Sequence, residues 1–179
     1  MGYRKYAADW SVREELDGRG RRVRTPVYGG PLFRYALTAD RRRPYRVWLP
    51  ILGLVQWALF VTSLLFPLHT MAQFYIMVPY GVRLLPLFYM TMSLWTFLFA
   101  KEPLKREQND GLYPRMSHSL CFLITFGAAS LIAAAVAALV YRTLSASDIY
   151  LLVAMAVQLS LDLVMLRLRR AMRTQELEK

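Results

Sequence analysis

Two ionisable residues, Arg83 and Asp162, stand inside stretches of the chain that are otherwise apolar. Placing a charged side chain within a lipid bilayer is costly, so such residues commonly mark an ion or proton pathway. A carboxyl group in that position can carry a proton, or it can be a hydrogen-bonded packing residue that faces a neighbouring helix. Both interpretations stay open for Asp162, and Arg83 and Asp162 together form the candidate ion or proton site.

The predicted partners of Asp162 follow from its depth. Asp162 is about fourteen residues from the outer end of its apolar stretch, which corresponds to roughly 21 Å along a helix. Arg83 belongs to the outer half of its own stretch, so the two depths differ by roughly 10 Å at 1.5 Å per residue. A direct pair would require the arginine to reach inward. Arg46, Arg115 and His118 are therefore the predicted partners.

Other chemistry finds little support in the residue pattern. The two histidines, His69 and His118, are expected on opposite sides of the membrane, so they cannot share a metal ion. Cys121 is the only cysteine, which excludes an intramolecular disulfide, and its spacing from His118 is a weak thiol–imidazole signal. The chain has no glycine-rich phosphate loop, no GxSxG and no HExxH motif. No catalytic residue, metal or cofactor is predicted, and the chain is expected not to be an enzyme.

The apolar stretches match the roughly 20 residues that cross a hydrocarbon layer about 30 Å thick. Four spans are predicted, approximately at residues 47–66, 78–100, 119–141 and 149–166. The predicted fold is therefore an all-α integral membrane protein, a four-transmembrane-helix bundle with short outer loops. Its N-terminal cytoplasmic tail is expected to be basic and largely irregular.

The second span allows two interpretations because it contains Pro79, Arg83 and Pro86. Either its helix begins near Tyr80 and Arg83 extends to the outer headgroups, or a longer helix is kinked at Pro86. The first interpretation is favoured here.

The charge distribution predicts the orientation of the spans. The chain has 179 residues, of which 56% are hydrophobic, yet its net charge is +11. Residues 1–46, 101–117 and 167–179 contain 21 of the 23 Lys and Arg residues. Since basic loops resist translocation, these three segments and both termini are expected in the cytoplasm, with the spans in the plasma membrane.

The resulting domain boundaries are a basic N-terminal tail (1–46), a transmembrane domain (47–166) with an inner loop (101–118), and a basic C-terminal tail (167–179). A short helix is expected over Ala7–Leu16, and the inner loop is expected to be a turn-rich linker.

Two groups of residues are predicted to make contacts. Arginines flank the first and last spans, and such clusters attract anionic lipid headgroups or a partner at about 1 kcal/mol per charge; they are Arg41, Arg42, Arg43, Arg46, Arg167, Arg169 and Arg170. Ala129, Ala133 and Ala137 recur at four-residue spacing, which favours close helix packing in lipid. Nucleic acid is not expected as a partner, because the basic residues flank spans and no nucleic-acid motif accompanies them.

These features predict a small polytopic membrane protein of non-enzymatic character, an accessory or assembly subunit. It would act through helix packing and its basic cytoplasmic tail, with the lipid bilayer and a membrane-protein partner or a second copy of itself. The alternative is an oligomeric small transporter or channel that uses Asp162 and the Pro79–Pro86 segment.

Overall fold

The computed structural model describes residues 3–16, 18, 22–65, 73–141 and 145–177. By length and composition, four helical stretches are long and apolar enough to cross a membrane: Ala39–Leu65, Phe74–Phe99, Arg106–Val140 and Ala146–Met172. The prediction of four apolar helices in a helical bundle is thus confirmed. Of the predicted outer loops, residues 67–72 and 142–144 lie outside the described part of the chain, as does His69.

The second stretch consists of two helices, α3 (Phe74–Val82) and α4 (Leu84–Phe99), separated by a turn at Arg83. Pro86 explains the position of this break, because it has no N–H to donate to the carbonyl of Val82. The favoured prediction, in which the helix began near Tyr80 and Arg83 reached the headgroups, is wrong: Arg83 is buried. The longer, broken helix describes the structure better, with the break three residues before Pro86.

The remaining helices extend beyond the predicted spans. The first, α2 (Ala39–Leu65), starts within the basic segment, and α7 (Ala146–Leu168) continues as a 3-10 turn over Arg169–Met172. The predicted inner loop is mostly helical, with α5 (Arg106–Asp110) followed by α6 (Tyr113–Tyr141). Its prediction as a linker was therefore wrong, because a proline such as Pro114 is compatible with the first turn of a helix.

Helix α6 packs against α3, α4 and α7, while α2 packs against α4 and α7. Of the three alanines predicted at helix contacts, Ala137 is buried, Ala133 is half-buried and Ala129 is exposed. The lateral surfaces of the bundle carry large apolar side chains that are exposed, such as Leu54, Phe88 and Trp95. A protein surrounded by water rarely exposes so much contiguous apolar surface.

A small antiparallel sheet lies at one end of the bundle. Its central strand, β3 (Leu32–Tyr35), pairs with β4 (Leu104–Lys105) on one side and with β5 (Thr174–Glu176) on the other. We call this sheet together with α5 the platform. Because its strands come from the N-terminal segment, the α4–α6 connection and the C-terminal segment, all three segments lie at the same end of the bundle.

A β-hairpin precedes the platform and is formed by β1 (Trp10–Leu16) and β2 (Arg22–Tyr28). The described part of the chain begins with a short helix, α1 (Tyr3–Tyr6). The predicted helix over Ala7–Leu16 is wrong, since only a 3-10 turn at Ala7–Asp9 is helical there. The prediction of a largely irregular tail is wrong as well. The strands of this region are ordered by pairing with each other and with distant segments.

Candidate functional site

The side chain of Arg83 points from the α3–α4 break into the interior of the bundle. Its guanidinium donates two hydrogen bonds to α7: Nη2 to Asp162 Oδ2 at 2.9 Å and Nη1 to Gln158 Oε1 at 2.6 Å. The exposed fractions are 2% for Arg83 and 0% for Asp162. The two ionisable residues predicted as a candidate site therefore form a buried ion pair.

Two further polar side chains complete this cluster, which we call the arginine network. Gln56 on α2 donates from Nε2 to Asp162 Oδ1 at 2.6 Å, so both carboxylate oxygens accept a hydrogen bond. Gln158 donates from Nε2 to the hydroxyl of Tyr80 at 3.1 Å. Through these bonds the network joins α2, α3 and α7.

The remaining membrane-length stretch, which contains α6, contributes a backbone surface without a side chain at Gly127. A Cβ atom placed on Gly127 of α6 would lie 3.3 Å from Arg83 Cζ and 3.5 Å from both terminal nitrogens. The guanidinium thus packs directly on the α6 backbone, and a side chain at position 127 would push it away from Asp162. All four membrane-length stretches thus either contribute a side chain to the arginine network or pack against it.

The predicted partners of Asp162, namely Arg46, Arg115 and His118, are therefore wrong. The Arg83 guanidinium reaches the depth of Asp162 because the break at Arg83 directs its long side chain into the bundle. Gln56 and Gln158 were missed as members of the site. The sequence contained one usable signal, since Gln158 and Asp162 are four residues apart and so share a helix face.

Not every polar atom of the network has a partner. Arg83 Nε and Gln56 Oε1 are buried and make no hydrogen bond with the described part of the chain. A void beside them, lined in part by Phe60, Leu87 and Leu123, has no room for a water molecule. The arrangement is thus a closed and dry charge pair, which suits holding four helices in one register more than conducting ions.

A second set of contacts connects the hairpin to the platform. The Arg106 N–H donates to the Tyr28 hydroxyl at 3.0 Å, and Arg106 Nη1 lies 3.8 Å from Asp9 Oδ1. The Lys105 ammonium lies 4.4 Å from the centre of the Trp10 ring, within the range of a cation–π contact. The base of the hairpin is therefore held on β4 and α5, while its strands extend beyond them.

The N-terminal turn is attached to α5 by charge. Lys5 Nζ lies 2.6 Å from Asp110 Oδ2, and the Tyr6 hydroxyl donates to the same oxygen at 2.9 Å. The hydrogen bond to Asp110 raises the pKa of Lys5, so this ammonium is charged across the physiological range.

Among the flanking arginines, Arg42 differs from the others. It is buried, its Nη1 contacts Glu102 Oε1, and its guanidinium stacks 3.9 Å from the centre of the Tyr35 ring. Burial raises the pKa of Tyr35 and keeps the phenol neutral. Four of the predicted contact arginines are exposed and two are half-buried: Arg41, Arg43, Arg167 and Arg170 are exposed, and Arg46 and Arg169 are half-buried.

The thiol–imidazole signal stays weak, because both Cys121 and His118 are exposed. The described residues include no group of three or more His, Cys, Asp or Glu side chains that could hold a metal ion. No family model, curated protein or solved structure matches this chain. Its function must therefore be inferred from its own geometry.

Proposed function

We propose that this chain is a multi-pass protein of the plasma membrane and a non-enzymatic accessory or assembly subunit that acts by contact. The apolar lateral surfaces of the four helical stretches support its placement in a bilayer. The segments that meet at the platform end contain 21 of the 23 Lys and Arg residues, which supports a cytoplasmic platform and cytoplasmic termini.

One observation carries the proposed contact role, namely the hairpin formed by β1 and β2. Two isolated strands are at best marginally stable in water. Yet this hairpin projects from the platform, and within the described residues each of its strands pairs only with the other. Val12 is 67% exposed and Trp10 is 41% exposed. Such a hairpin gains stability when a partner covers one face.

Charge indicates the chemistry of that partner. The segments at the platform end carry the excess of basic residues that gives the chain its net charge of +11. A second copy that docked through the same end would bring like charges together, which opposes association. We therefore propose a different membrane protein with an acidic cytoplasmic surface. The exposed arginines beside the helices, Arg41, Arg43, Arg167 and Arg170, would contact anionic headgroups.

The alternative, an oligomeric transporter, would use Asp162 as the titrating group and the Pro79–Pro86 segment as the gate. In a single copy both oxygens of Asp162 are engaged, and the adjoining void does not admit water. A structural role for the arginine network is therefore better supported than a transport role.

Site-specific photo-crosslinking in cells tests the proposed contact. A photoreactive side chain at Val12 or Val27 should yield a discrete adduct with another protein, whereas the same group at Leu54 should react with lipid only. Charge reversal by Arg13→Glu and Arg24→Glu should abolish the adduct, and Arg41→Glu with Arg43→Glu should leave it. If neither hairpin position gives an adduct, or the adduct joins two copies of this chain, the proposed partner is wrong.

A further inference from the structure

A groove of about 710 Å³ opens on the side of the bundle between α4 and α6. This volume is in the range of roughly 300–1,000 Å³ that is typical of small-molecule sites. Most of its walls are apolar: Leu85, Pro86 and Tyr89 of α4 face Phe122 and Phe126 of α6. Aromatic and aliphatic walls of this kind suit a hydrocarbon chain.

The end of the groove nearest the platform is polar and positively charged. It is lined by Arg115 and His118 of α6 and by the pair of Lys5 and Asp110. The Asp110 carboxylate is already occupied by Lys5 and by the Tyr6 hydroxyl. The side chains of Arg115 and His118, in contrast, make no hydrogen bond or ion pair with any residue that the structure describes. The charge of Arg115 is therefore available to a ligand.

The groove has the length of one bilayer leaflet. Arg115 and Phe126 are eleven residues apart on α6, which corresponds to roughly 16 Å along the helix. The hydrocarbon core of a bilayer is about 30 Å thick, so half of it is roughly 15 Å. A molecule with its charge at Arg115 would thus have its apolar end near the middle of the membrane, beside Val82 and the α3–α4 break.

We propose that this groove binds one anionic phospholipid from the leaflet on the platform side. The phosphate accepts hydrogen bonds from the Arg115 guanidinium and from a ring N–H of His118, and one acyl chain lies between α4 and α6. Arginine suits this role because its planar fork binds phosphate oxygens in pairs. The inference rests on the proposed membrane placement, and it adds a ligand class and a specific site.

Native mass spectrometry of the purified full-length chain in mild detergent tests the proposal. The probes are phosphatidylglycerol and a diacylglycerol with the same acyl chains. We expect one molecule of phosphatidylglycerol per chain, bound at least about tenfold more tightly than diacylglycerol, as for a hydrogen-bonded charge. Equal binding of the two lipids, or displacement of the lipid by inorganic phosphate alone, would show that the groove does not recognise a phospholipid.

Matched variants separate a specific site from general basicity. Arg115→Gln should weaken phosphatidylglycerol binding about tenfold, whereas Arg170→Gln, which removes an equal charge outside the groove, should leave it unchanged. Leu85→Trp should lower lipid occupancy by filling the groove, while Leu54→Trp on α2 should not. Circular dichroism checks that each variant keeps its helix content. Equal weakening within either pair overturns the proposal but leaves the hairpin crosslinking result, and hence the proposed function, standing.

Discussion

The bundle and the platform bury opposite kinds of side chain. At the level of Arg83 the polar side chains of Asp162, Gln158 and Gln56 lie inside the bundle, while the outward faces of the helices are apolar. The platform has the opposite arrangement, which is typical of a water-soluble protein: the apolar side chain of Leu104 is buried and the charged side chain of Glu176 is exposed. The difference indicates two different solvents, and it explains why a single chain combines high apolarity with high charge.

The comparison is sharpest for Arg42 and Arg83, the two arginines that are buried in the described part of the chain. Arg83 has a fully buried carboxylate partner, whereas the carboxylate partner of Arg42, Glu102, is 42% exposed at its side chain. A charge pair that is closed off from water is costly to break, because the charge that remains is buried and cannot be solvated by water. A pair with one partner in water is worth much less. The two arginines should therefore respond very differently to the loss of their partners.

The largest expected effect is that of Asp162→Asn. This change keeps the shape of the side chain but leaves the Arg83 charge buried without a counter-charge, so we expect a loss of about 3–5 kcal/mol in the free energy of unfolding. Denaturant titration in detergent micelles, followed by circular dichroism, measures this loss.

A double variant provides the control. Replacing both charged residues by apolar ones, Arg83→Met with Asp162→Leu, removes the need for a counter-charge, so the double variant should be more stable than Asp162→Asn alone. It should stay below the wild type by about 1–3 kcal/mol, because the buried amides of Gln56 and Gln158 lose their charged hydrogen-bond partners. If Asp162→Asn alone is as stable as the wild type, the ion pair does not hold the bundle together.

A smaller effect is expected at Gly127, where the Arg83 guanidinium packs on the α6 backbone. Gly127→Leu should displace the guanidinium and cost about 1–3 kcal/mol, the usual range for overpacking. Ala129→Leu is the matched control, since Ala129 is on the same helix but is exposed and should tolerate the larger side chain. The same titration measures both variants, and equal stabilities would mean that α6 does not approach Arg83 closely.

The bundle was largely predictable from the sequence, because the length of an apolar run is a local property. Asp162 and Arg83 were identified as unusual for the same reason. Their pairing was not predicted, since it depends on the side-chain direction at the break before Pro86. Of the predicted row of small residues, Ala137 is buried and Ala133 is half-buried, but Ala129 is exposed; Ser130 and Ala134 of the adjacent row are buried as well.

The platform was missed for the opposite reason. Its strands have four, two and three residues and come from distant parts of the chain. No local pattern in so short a strand distinguishes it from a loop. Its hydrogen-bond partners are distant in sequence, since β3 and β4 are about 70 residues apart and β3 and β5 are about 140 residues apart. The hairpin carried a weak signal in the alternation of Val23, Thr25 and Val27, but the neighbouring Arg22 and Arg24 resembled a solvated tail.

The smallest expected effect is that of Arg42→Met, at the end of α2 that contacts the platform. This change removes a contact to a partly exposed Glu102 and a cation–π contact to Tyr35, together worth about 1 kcal/mol. Arg43→Met is the control, since Arg43 is exposed and should tolerate the change. Hydrogen exchange at the amides of β3 would report the local loosening, and a loss as large as that of Asp162→Asn would contradict the distinction between the two regions.

The central claim, a membrane-spanning bundle with the platform in the cytoplasm, is tested most directly by cysteine accessibility in intact cells. Single cysteines at Gly18, Glu107, Glu176, Gln73 and Ala146, in a Cys121→Ala background, are labelled with a membrane-impermeant thiol reagent. We expect positions 73 and 146 to react from outside, and positions 18, 107 and 176 to react only after permeabilisation. External labelling at 18, 107 and 176 would reverse the orientation. Opposite behaviour of 18 and 176 would contradict the four-span topology itself.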